Sequence, residues 1–80
     1  MDRNIDKPHE HTLIRGITRA VTDDALKVEV LWAHGTSRQL PVTEWIPRST
    51  VRDGYSASFR VSEYDHFLVK TSMLVENGIL

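Results

Sequence analysis

Hydrophobic and polar positions along the chain follow a period of two more often than any other. The clearest run is Ala25 to Ala33, where Leu26, Val28, Val30 and Trp32 fall on one face and Lys27 and Glu29 on the other. Before it, Leu13 to Thr22 alternates less cleanly and slips at Gly16, which predicts a bulged strand. Asp23-Asp24 joins the two runs as a tight turn. His34 to Arg38 reads as a loop, and Gln39 to Ile46 as a third strand that turns back along the second. A fourth short strand is expected at Ala57 to Val61 and a fifth at His66 to Lys70, after the turn signal Arg52-Asp53-Gly54. Thr71 or Ser72 is expected to cap a final helical turn holding Met73, Leu74 and Val75. Asn77-Gly78 should stop that turn, and Ile79 should fold back as its apolar contact.

The stretch Leu40 to Thr50 organises this pattern. Pro47 has no N–H to give a ladder and holds Ile46 extended, so the third strand should end there. Pro41, early in the same strand, marks an edge strand or a strand start. Trp45 and Ile46 lie on opposite faces. Ser49 and Thr50 supply hydroxyls for the backbone freed at the turn. The strands are read as curling around the two indole rings, and Trp45→Ala is expected to cost about 3 kcal/mol or more by leaving a cavity.

Trp45-Ile46-Pro47-Arg48-Ser49 resembles the Trp-Ile-Pro-Lys-Ser motif of a group of small phage and bacterial proteins. Ala25 to Val30 is similar to the strand that precedes the motif in that group. Ser72 to Ile79 is similar to its closing helix. The resemblance covers about the last two-thirds of the chain. It departs at Arg48, where lysine is usual, at Met73, where tryptophan is usual, and in the insert from His34 to Gln39. It implies a β fold and a phage or mobile-element setting, and it brings no activity with it.

Five short strands and one helical turn in 80 residues predict a mainly β chain. Its form is a small half-open barrel, SH3-like or OB-like, or else a meander sheet with the helix on one face. Residues 13–80 form the single domain, and residues 1–12 a flexible polar tail. Apolar residues make up 40% of the chain, above a disordered composition. The absence of cysteine removes disulfides and thiol chemistry and fits a reducing cytoplasm, bacterial or that of a phage-infected host. The N-terminus lacks the pattern of a signal peptide, and no apolar run approaches a membrane span.

Candidate chemistry is sparse. His9-Glu10-His11 has metal-ligand types at strand spacing, with His34 and His66 as distant possible ligands. The ordinary reading is a polar tail, so no metal and no cofactor is expected. No Gly-x-Ser-x-Gly elbow or phosphate loop occurs, and no enzyme is expected. Two binding readings remain. One is a protein-interaction module that self-pairs or binds a host protein through an exposed edge strand, with an anti-defence inhibitor as its analogue. The other is single-stranded nucleic-acid binding, by bases stacked on Trp32, Tyr55 or Tyr64 beside arginines. The candidate binding residues are Arg15, Arg19, Trp32, Arg38, Arg48, Arg52, Tyr55 and Arg60, with Trp45, Ile46, Pro47 and Ser49 as the structural motif. Seven arginines against three lysines favour planar recognition. A net charge of −1 with pI about 6.4 weighs against a nucleic-acid footprint.

Overall fold

A computed structural model describes residues 10–80; His9 and most of the expected tail lie outside the described residues. The chain is mainly β. Strands β1 (His11–Val21), β2 (Ala25–Ala33), β3 (Val42–Pro47) and β4 (Tyr64–Lys70) precede one short helix, α1 (Thr71–Glu76). The strands form an open antiparallel sheet in the order β3-β2-β1-β4. Four strands stand where five were expected. Residues 57–61 form no strand: they run through an irregular connection that leads, past Ser62 at φ +74°, to Tyr64. β3 begins at Val42 rather than Gln39, after a cis Leu40–Pro41 peptide.

β1 is the strand the others depend on, because it pairs with β2 along one edge and β4 along the other. Its ladder with β2 breaks twice. Arg15 faces Trp32 but Gly16 faces Val30, so Leu31 is the extra residue; Thr18 faces Val28 but Ala20 faces Lys27, so Arg19 is the extra one. Each bulge adds local twist and bends the ribbon. The bulge expected at Gly16 is therefore present, and its geometry explains the glycine. A Cβ there would sit 2.2 Å from the Glu29 carbonyl oxygen, far inside contact distance.

The sheet curls strongly. After Pro47, a 3₁₀ turn at Arg48–Thr50 delivers Val51 to the far edge of β4, where it bridges Val69. In a flat sheet those positions would lie about 19 Å apart across the strands. Four residues reach at most about 14 Å, so the sheet must coil to bring them together.

The concave face holds the core: Ile14, Leu26, Val28, Val30, Ile46, Phe67 and Val69, closed over by Val51, Met73, Leu74 and Ile79. Gly78 takes φ +75° after α1, and Ile79 N donates to Leu74 O at 2.9 Å, which turns the Ile79 side chain into that core. The N-terminal cap differs from expectation. Lys70 occupies the cap position without a side-chain bond, and the Thr71 hydroxyl instead meets that of Thr12 at 2.7 Å.

Neither indole is in the core. Trp32 is 41% exposed and Trp45 48% exposed, whereas Ile46 is 1% exposed. The physical reason for Trp32 is the Leu31 bulge, which shifts the alternation so that Ala33 turns inward in its place. Trp45 pairs with outward-facing Lys27, so its side of β3 is the outer one. The expected cavity is thereby corrected. Trp45→Ala should cost under about 1 kcal/mol, while Ile46→Ala should cost roughly 2–5 kcal/mol. Gly16→Ala should cost roughly 1–3 kcal/mol by overpacking against backbone. Urea denaturation of the three variants checks this; equal losses for Trp45 and Ile46 would contradict it.

Candidate interaction surface

Strand alternation and the two bulges together fix what the outer face carries. From β3 come Thr43 and Trp45, from β2 Lys27, Glu29, Leu31 and Trp32, from β1 Arg15, Ile17 and Arg19, and from β4 Tyr64, His66 and Leu68. Leu31, Trp32, Trp45 and Tyr64 are large, exposed and on this one face. The Arg15 guanidinium lies 5.0 Å from the centre of the Trp32 ring, and the Lys27 ammonium 5.8 Å from that of Trp45. Each is a cross-strand pair in which a cation meets the negative face of an indole. His34 adds a tilted ring contact to Trp32, with centroids 6.1 Å apart. Arg19 is tied to Glu29, its Nε donating to the carboxylate at 3.0 Å.

The sheet edges offer much less. Arg48 N donates to Asp24 O at 2.8 Å, which extends the β2–β3 ladder. By antiparallel alternation, Ile46, Glu44 and Val42 then bond to β2, and only Thr43 and Trp45 turn backbone groups outward. Pro47 belongs to the same outward set but lacks an N–H, and its carbonyl accepts the Thr50 hydroxyl at 2.6 Å. On the opposite edge, Arg52 N donates to Leu68 O at 2.8 Å, and His66 N to the Asp65 carboxylate at 2.8 Å. Each edge is thus shortened or partly covered, as edge strands commonly are, while Thr43 and Trp45 keep outward backbone groups on the β3 edge.

The sequence candidates therefore divide. Arg15, Arg19 and Trp32 come together on the outer face. Arg48 does not join them. It is a staple, donating from Nε to Thr22 O and from Nη1 to Gly54 O, each at 2.9 Å, with its guanidinium 5.6 Å from the Phe59 ring. Arg38 holds the C-terminus through a 2.7 Å bond to Gly78 O, beside the Thr36 hydroxyl that donates to Ile79 O. Arg52, Tyr55 and Arg60 lie exposed in the connection between the 3₁₀ turn and β4. In the motif, Ile46 is core, Pro47 ends the strand, Ser49 is exposed in the 3₁₀ turn, and Trp45 belongs to the outer face. Lys27 and Leu31 were missed. Lys27 was legible as the polar partner of a tryptophan strand, but Leu31 depends on the bulge.

A concavity of about 220 Å³ lies beside β4, walled by Arg52, Ser58, Phe59, Asp65, His66 and Phe67 among others. Among the described residues, no three histidine, aspartate or glutamate side chains cluster to hold a metal ion, and no helix is long and apolar enough to cross a membrane. No family model, curated protein or solved structure matches the chain.

If Arg48 is a staple and Arg15 a surface group, their alanine variants should separate. Arg48→Ala should lose about 1–3 kcal/mol, because the Thr22 and Gly54 carbonyls lose a charged donor, and amides near Thr22 and Gly54 should exchange faster. Arg15→Ala should stay within about 0.5 kcal/mol. Thermal unfolding with hydrogen exchange measures both, and a stable Arg48→Ala protein would contradict the assignment.

Proposed function

We propose that this chain is a non-enzymatic interaction module that acts by protein–protein contact through the outer face of its sheet. The observation that carries the reading is the collection of two tryptophans, a tyrosine and a leucine, all exposed on one face that no other described element covers. Soluble domains rarely leave large apolar groups together without a use for them, and tryptophan, tyrosine and arginine are the residues that dominate interface energetics. The face offers more apolar area than the short β3 edge, where Thr43 and Trp45 alone turn backbone groups outward. The curl that brings Val51 to β4 supports a half-open barrel of SH3-like or OB-like kind as the architecture.

The Trp-Ile-Pro-Arg-Ser resemblance supports a phage or mobile-element origin, with the protein acting in the cytoplasm of a bacterial host. Self-association and capture of a host protein, as by an anti-defence inhibitor, are the two forms such contact takes. The non-enzymatic part of the reading rests on the cavity beside β4. Its histidine and carboxylate, His66 and Asp65, are 72% and 46% exposed at their side chains, and water-filled surroundings give such groups little catalytic leverage. A second reading, single-stranded nucleic-acid binding, draws on the Arg15–Trp32 pair, since stacking beside a cation is the chemistry such proteins use.

Immobilised wild type and a Trp32→Ala/Trp45→Ala double variant, each challenged with bacterial lysate and each examined by sedimentation, test the proposal. Wild type should retain a protein partner or form a dimer that the variant loses, with thermal unfolding little changed. A monomeric wild type that captures the same proteins as the variant contradicts it. Retention on single-stranded DNA that falls steeply with salt would favour the second reading.

A further inference from the structure

We propose that the partner of the outer face is an acidic segment of another protein, with carboxylates set beside aliphatic side chains, and not a second copy of this chain. The inference rests on the contact reading above and adds the chemistry of the occupant.

Charge is distributed unevenly. The chain as a whole is −1, yet among the described residues the outer face of the strands holds Arg15, Arg19 and Lys27 against Glu29. The other acidic groups among the described residues lie elsewhere: Glu10 precedes β1, and Asp65 stands opposite Gly16, the position on β4 next to outward His66. Asp23 and Asp24 are in the β1–β2 turn, Asp53 and Glu63 are in the connection before β4, and Glu76 is on α1. Glu44 stands opposite core residue Val28, on the other side of β3 from Trp45. The face is therefore locally positive within a slightly acidic molecule.

A two-fold dimer through this face would set the same patch against itself. The interface would then gather the excess positive charge of both copies, from Arg15, Arg19 and Lys27 against Glu29, which disfavours self-pairing. An acidic partner meets them favourably. Each cation already lies against an indole, so a carboxylate reaching Arg15 or Lys27 brings neighbouring aliphatic carbons onto Trp32, Leu31 or Trp45. Lys27 and Trp32 are separated by about 16 Å of strand, which two acidic groups in some five residues of extended chain would match. Nucleic acid fits less well. One face of each indole is occupied by its own cation, and Arg19 is engaged by Glu29, leaving few groups for phosphates.

The test follows the two indole signals by NMR in 15N-labelled protein, since Trp32 and Trp45 are the only tryptophans. The probes are a ten-residue peptide with Glu at every second position and Leu and Ser between, its twin with Lys in place of Glu, and a twelve-nucleotide oligothymidylate. The acidic peptide should shift both indoles, bind more weakly as salt rises, and bind at least about tenfold more weakly to Arg15→Glu/Lys27→Glu. Both substituted residues face solvent on the sheet exterior, so the variant should fold; unchanged amide dispersion verifies that. Equal binding of the lysine twin, or no indole shift with the acidic peptide, overturns the inference. Indole shifts that instead track protein concentration would show a dimer, leaving the contact reading standing without this occupant. Tighter binding of oligothymidylate would remove both.

Discussion

One backbone strand has to satisfy two neighbours whose directions differ, and the rest of the molecule follows from how it does so. β1 gives one edge to β2 and the other to β4, and it bends at the Leu31 and Arg19 bulges. Gly16 lets the backbone approach the Glu29 carbonyl closely at that bend. Without the bend, the four residues after Pro47 could not carry Val51 to Val69. The core would then lie open on one side, because Val51, Met73, Leu74 and Ile79 all reach it from the β4 side of the chain.

The same bend decides what faces water. Bulges change the parity of a strand, so Ala33 takes an inward place and Trp32 an outward one. Small residues at bends and large ones outside are an uneconomical use of aromatic area in an 80-residue domain, where each buried aliphatic side chain contributes about 1.5–3 kcal/mol. Stability is made up in part by polar staples. Arg48 ties the β1–β2 turn to the loop at Gly54, and Arg38 with Thr36 ties the chain end to the β2–β3 loop. Two arginines that look like ligand contacts in sequence are thus committed to the fold, and the outer face keeps only those that meet tryptophan or Glu29.

How much of this could be read beforehand depends on range. β2 was legible to the residue, because Leu26, Val28 and Val30 alternate without interruption, and the α1 ending was legible because Asn77-Gly78-Ile79 is local chemistry. Ala57 to Val61 looked like a strand by composition, but the chain there loops from Val51 and Arg52, already beside β4, back to the start of that strand, and Val61 remains exposed. The orientation of Trp32 was hidden for a different reason: the slip was visible at Gly16, whereas the extra residue sits on the partner strand at Leu31. Trp45 was misjudged from size alone. Alternation with Ile46 said that one of the two faced out, and only pairing with Lys27 said which.

The central claim is that the Leu31 bulge and the pairing of Trp45 with Lys27 place both indoles toward solvent on one face. Acrylamide quenching of the single-tryptophan variants Trp32→Phe and Trp45→Phe measures this directly. The account predicts red-shifted emission in the folded protein and a quenching constant for each indole approaching that of the urea-unfolded chain. Blue-shifted emission with strong protection of either ring would place that indole in the core and contradict the account.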